Sequence, residues 1–149
     1  KKCRFIACTF IECQLSNLPL QGVQFIDVNF EKCKLMGLHF ESCNPFGLSF
    51  GFRHCRLEHS TFYEMNIKNT LFEACNLTDV DFSQADLTGV RFLDSQLMGA
   101  TFDQTNLEKA DFRTASHFQI NPLTNKLKKA RFDASNLAGL VGVFGVQID

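Results

Sequence analysis

The chain has 149 residues, one domain's worth, with 45% hydrophobic residues and a formal charge of −1. A charge so near zero excludes a global field drawing it to nucleic acid or anionic lipid. The longest apolar run, Leu137 to Val146, falls short of the roughly 20 residues that cross a bilayer, and no signal peptide is visible, so a soluble, cytoplasmic chain is expected.

Seventeen Phe stand against one Tyr and no Trp, so the rings serve as plain apolar volume without the polar handle that Tyr and Trp bring to boundaries. They are periodic. Phe5, Phe10, Leu15, Leu20, Phe25, Phe30, Leu35, Phe40 and Phe50 fall five apart, broken only at Pro45. A seven-residue step from Phe50 to Leu57 reads as a register slip within residues 51–56, near Arg53 and His54, a bulge that could also be a contact site. The series then runs without a miss from Leu57 through Phe62, Phe72, Phe82, Leu87, Phe92 and Phe102 to Phe112, the candidate core. Residues 116–129 are irregular: His117 and Pro122 fall on expected centres, Phe118 and Ile120 can replace the lost packing, and Pro122 to Asn125 read as an exposed turn. Lys126, Lys128 and Lys129 make that corner basic.

Five residues match neither helix nor strand periodicity, so the chain must turn once per repeat, with each centre pointing at the axis. Centres alternate Phe and aliphatic, and like recurs on like every 20 residues, which gives four sides per coil. About seven coils at 4.8 Å would make a rod of roughly 35 Å. Residues 1–137 form the expected solenoid and 138–149 a capping and dimerisation tail. There Ser135 or Asn136 can cap a short helix, Gly145 can end it, and Val146 to Ile148 reads as a final strand. Leu140, Val141, Val143, Phe144, Val146 and Ile148 are more apolar than a cap over a narrow core requires, and are the candidate homodimer interface.

Ala85-Asp86-Leu87-Thr88-Gly89, Ala110-Asp111-Phe112 and Thr105-Asn106-Leu107 resemble the A(D/N)LXX consensus of the pentapeptide-repeat family. The resemblance covers nearly the whole chain and implies an all-β solenoid, the right-handed quadrilateral β-helix. The tail is similar to the C-terminal dimers of quinolone-resistance members. Some members resemble a DNA rod and occupy the DNA site of type II topoisomerases, so the resemblance implies gyrase protection as an alternative function. The long projecting loops of the quinolone-resistance type are missing here, and no gyrase-contacting residue is carried over.

No catalytic motif is present. The seven Cys all lie two places before a centre, where a small hydrophobe is needed. With no CxxC pair, neither a metal nor a cofactor is expected. Steps of 20 and 22 residues put Cys13, Cys33, Cys55 and Cys75 in one internal column of reduced thiols. At Cys33, Ser would cost about 1–3 kcal/mol if its hydroxyl found no partner, and Ala should be milder. Asp and Asn before centres read as turn residues. Residues 57–112 hold ten acids and three bases, a net of −7, and each flank is +3. One side of the coil carries Glu41, Glu64, Asp81 and Asp103 and no Lys or Arg. The expectation is a non-catalytic scaffold for an unidentified protein partner, with no direct nucleic-acid or membrane binding, and the acid-only side as candidate contact surface.

Overall fold

A five-residue repeat keeps one residue inward only if the backbone bends at every repeat, and at most corners the bend is a left-handed residue two places after the centre. Glu12, Asn17, His59, Glu64, Asn69 and Lys109 all have φ between 54° and 64°. At most corners the centre's carbonyl then accepts from the N–H three residues on, as from Ser60 to Leu57 (3.0 Å), Met65 to Phe62 (3.1 Å) and Thr70 to Ile67 (3.2 Å). These are tight β-turns. The Asp or Asn before the centre holds the same turn from the side: Asp81 accepts from the Ser83 N–H (2.8 Å), Asp86 from Thr88 (3.1 Å) and Asn76 from Thr78 (3.0 Å). The consensus carboxamides and carboxylates are turn residues, as their spacing suggests.

The computed structural model describes residues 3–149 as a parallel β-solenoid. Its first side is a sheet of five parallel strands in chain order: β1 (Arg4–Ile11), β2 (Gln24–Glu31), β3 (Phe50–Arg53), β4 (Leu71–Glu73) and β5 (Arg91–Leu93). These strands account for about four turns. Isolated parallel bridges tie the other three sides at the same step, as in Arg56↔Asn76↔Gln96, Thr61↔Asp81↔Thr101 and Asn66↔Asp86↔Asn106.

The register places the slip elsewhere than residues 51–56. Gln24 pairs with Asn44 but Val28 pairs with Phe50, so six residues cover the path that four cover one turn earlier. The two extra residues lie between Asn44 and Phe50, and β3 runs from there in unbroken register with β2. Phe52, not Phe50, is therefore the centre beneath Phe72. Proline explains the position: its fixed φ and missing N–H suit a loop rather than a ladder. Phe50 occupies the place of Val28, and its ring turns inward against Phe52 (4.9 Å), Phe40 (5.6 Å) and Phe25 (6.2 Å). It refills the core that Pro45 leaves empty.

Inside, two columns of Phe face each other. Phe52, Phe72, Phe92 and Phe112 stack on the first side at 4.9–5.5 Å between centroids. Phe40, Phe62, Phe82 and Phe102 stack on the third at 4.6–5.4 Å. The columns meet edge to face, as at Phe72–Phe82 (5.9 Å, 79°). Leu35, Leu57, Leu77, Leu87, Leu97 and Leu107 fill the two sides between, fully buried. Every residue of the expected core is buried. Each such ring contributes roughly 1.5–3 kcal/mol by burial, and each pair adds about 0.5–1.5 kcal/mol.

At the C-terminal end Phe118 and Ile120 enter the core where His117 and Pro122 do not, and Leu123 marks an exposed turn. The cap is Asp133 rather than Ser135 or Asn136. Its side chain accepts from the Ser135 N–H and starts a 3-10 turn at Ala134–Asn136, while Asn136 Oδ1 accepts in return from the Asp133 N–H. A one-turn helix, α1 (Ala138–Val141), and a second 3-10 turn, Gly142–Phe144, follow. Gly145 ends the run with φ 67°. The strand expected at Val146–Ile148 is not formed. No bridge reaches beyond Arg131, so those residues have no ladder to join. No helix among the described residues is long and apolar enough to cross a membrane.

Candidate functional site

Acids occur on every side, and the third side is the one that carries them without a Lys or Arg. Bridges His39↔Thr61↔Asp81↔Thr101 run along it, so Glu41, Glu64, Asp81 and Asp103 fall on one side in successive turns. Glu41 sits in a 3-10 turn (Phe40–Ser42) and faces His39 Nδ1 at 3.4 Å. Glu64 is a corner residue with φ 59°. Asp81 is half-buried and partly committed to its own turn through Ser83. Asp103 is exposed. At a ladder spacing of about 4.8 Å this is one carboxylate per turn.

Beside the first two acids lies a groove of 850 Å³, lined by Glu41, Pro45, Ser49, Tyr63, Glu64 and Lys68. The inserted loop forms one wall. Phe46, at the loop's tip, is 74% exposed, and its N–H is held by Asn44 Oδ1 at 2.9 Å. The sequence reading missed Phe46. The signal was present, because an aromatic directly after a Pro that occupies a centre cannot itself be a centre and must point elsewhere. By contrast Arg53 and His54 occupy ordinary ladder and corner positions, with Arg53 paired to Glu73 at 3.6 Å.

The tail residues divide. Leu140 packs on the core and Val141 is half-buried, so both cap the rod. Val143, Phe144, Val146 and Ile148 are 50–59% exposed.

The cysteines form the expected column, all free, but with a role beyond volume. At the corner leaving the first side, the Phe carbonyl takes a donor from the next turn. Cys33 Sγ donates to the Phe10 carbonyl (3.2 Å), Cys55 to Phe30 (3.3 Å), Cys75 to Phe52 (3.5 Å), and the Ser95 hydroxyl to Phe72 (3.1 Å). Burial pushes the Cys33 thiol up and Cys43 to about 11. The hydrogen bond with Cys55, together with burial, pushes Cys75 up as well. Among the described residues no group of three or more His, Cys, Asp or Glu is arranged to hold a metal ion. The surface offers a row of carboxylates, a groove and the exposed rings of Phe46, Tyr63 and Phe144.

Four-sided turns, left-handed residues at most corners and paired columns of Phe and Leu define a parallel β-solenoid of five-residue repeats. The pentapeptide repeat region profile matches residues 3–73, 46–112 and 66–141, and the chain belongs to the pentapeptide-repeat family. No curated protein matches the sequence. Among solved structures it is similar to QnrB1, a plasmid-mediated fluoroquinolone resistance protein, at 19% identity over 98% of this chain and 90% of that one (TM-score 0.36). It is also similar to a pentapeptide repeat protein of the Arabidopsis thaliana thylakoid lumen, at 16% identity over 76% and 68% (TM-score 0.42). A third is HetL from the cyanobacterium Nostoc, involved in heterocyst differentiation regulation, at 10% over 93% and 89% (TM-score 0.33).

Proposed function

We propose that the protein is a non-catalytic interaction scaffold whose contact surface is the acid side together with its groove. The observation that carries this is Glu41, Glu64, Asp81 and Asp103 on one side of successive turns, without a Lys or Arg among them, the first two beside a groove walled by the loop that bears exposed Phe46. A rigid row of like charge steers and registers a basic partner surface, and an exposed aromatic next to a groove supplies the anchor such contacts need. Residues 138–149 serve as cap and homodimer contact, with Val143, Phe144, Val146 and Ile148 as the contacting residues. Seven free thiols support a reducing, cytoplasmic compartment.

The test is affinity capture from the native host with three proteins: wild type, Asp81→Lys/Asp103→Lys, and a control reversing Asp94 on the first side. A partner held by wild type and control but lost from the double variant is expected. Wild type and control should melt alike, since exposed charges contribute little to folding, and the double variant should lose only about 1 kcal/mol, the turn bond that Asp81 accepts from Ser83. A partner that survives the double reversal overturns the assignment of the surface.

A second reading, protection of a type II topoisomerase by DNA mimicry, draws support from the same one-carboxylate-per-turn spacing and the −7 of residues 57–112. Purified protein added to a gyrase supercoiling assay, with and without a quinolone, decides it. Rescue or inhibition at micromolar levels supports mimicry, and no effect removes it.

A further inference from the structure

The turn that ends the solenoid is the electrostatic opposite of its body. Between Phe112 and Phe132 lie five bases, Arg113, Lys126, Lys128, Lys129 and Arg131, and no acid. Of these, only Arg113 is committed, to Asp111 at 2.8 Å. The other four are exposed and form no ion pair among the described residues. They are also placed together. Lys126, Lys128 and Lys129 follow one another through the corner between the fourth side and the first, and Arg131 lies just past it, in bridge with Asp111. The Lys109 N–H bonds the Lys128 carbonyl (3.0 Å), which puts exposed Lys109 directly one turn below.

We infer that this basic corner docks on the acid side of a second copy of the chain, so that rods associate side by side. Three observations select that occupant. The required counter-surface exists on the molecule: Glu64, Asp81 and Asp103 form no ion pair among the described residues, one per turn. The bases of the last turn and Lys109 one turn below are separated by one ladder step of about 4.8 Å, the same step that separates neighbouring turns of the acid side, so two contacts fall in step. A long polyanion such as duplex nucleic acid would have to run from the basic turn onto a body carrying −7 and be repelled there, whereas a copy carrying −1 overall is not. Because acid side and basic corner are different surfaces, the contact is heterologous and builds a ring or an open filament according to whether its rotation closes. It covers the acid side invoked above for partner binding, so copies and partner compete for it. The contact itself does not rest on that reading.

The test is the mass of the purified protein by sedimentation, across concentration and salt, for wild type and two variants. Base-reversed Lys126→Glu/Lys128→Glu/Lys129→Glu keeps its acid side, and acid-reversed Asp81→Lys/Asp103→Lys keeps its basic corner. At about 20 mM salt the wild-type mass should at least double with concentration, and at about 0.5 M it should return to a constant value, since screening removes the attraction. Each variant alone should hold that constant value at both salts, with unchanged circular dichroism. Mixing the two variants should restore association at low salt, because one supplies the acids and the other the bases. A wild-type mass that ignores salt overturns the inference, as does a variant that associates alone or a mixture that does not. Tail-mediated dimers set the constant value and do not respond to these substitutions, and loss of an outside partner leaves self-association intact, so the readings fail separately. Labelled duplex DNA bound through the lysines without self-association would assign the corner to nucleic acid instead.

Discussion

Cys33, Cys55 and Cys75 act as donors as much as fillers, which reverses the order of substitutions expected from volume alone. A hydroxyl at 33 finds the partner that the sequence could not show, the Phe10 carbonyl, and Ser95 already uses the equivalent bond further up the same column, to the Phe72 carbonyl. Cys33→Ser should therefore stay within about 1 kcal/mol of wild type, whereas Cys33→Ala should lose roughly a further 1 kcal/mol, a few degrees in Tm. Thermal melts of the two variants decide it, and Ala melting above Ser would return the thiol to mere volume. In native protein the exposed Cys3 and half-buried Cys8 and Cys13 should react with a thiol reagent, and Cys33, Cys43, Cys55 and Cys75 only after unfolding. A thiol must be protonated to donate, and burial favours that form at Cys33 and Cys43. Since folding raises the Cys43 value to about 11, the thiol's contribution is fully present below the ordinary value near 9 and is lost as pH rises from there. Tm should fall above about pH 9, and less steeply in Cys43→Ala.

At the scale of elements, the two interruptions show what the periodicity could and could not disclose. A missing centre is visible in a sequence, so Pro45, His117 and Pro122 were legible as breaks, and Phe118 and Ile120 as replacements. The place of an inserted residue is not visible, because Phe50 and Phe52 are both aromatic and either fits a five-residue step. Only the pairing of Val28 with Phe50 distinguishes them. The acid side was legible because it needs only the 20-residue step. The groove and Phe46 were not, since they depend on where the extra residues project. For the tail, the cap and the Gly145 stop follow from residue type, while a strand at Val146–Ile148 required a neighbour that the sequence does not specify. The exposed tail yields its own prediction: Phe144→Asp should give a monomer by light scattering with the solenoid's circular dichroism retained. An unchanged mass, or a monomeric wild type, would leave the tail as a cap alone.

On the scale of the whole molecule, stability is distributed as nearest-neighbour terms along the rod, because each turn touches only the turns beside it. Phe72 is fully buried, stacked between Phe52 (5.1 Å) and Phe92 (5.5 Å), and edge-on to Phe62 and Phe82. Phe10 is only half-buried, stacks on Phe30 alone (5.2 Å), and meets Phe5 edge-on. Phe72→Ala should thus cost about 3–5 kcal/mol, and Phe10→Ala roughly half as much. The location of the damage separates this from a single cooperative core. Phe10→Ala should speed amide exchange in β1 and the first corners while leaving residues 57–112 as protected as in wild type. Phe72→Ala removes the contact through which the two halves support each other, so exchange should rise on both sides of it, from β3 to β5. Equal acceleration along the whole chain in both variants would mean that the turns unfold as one unit and that the nearest-neighbour account is wrong.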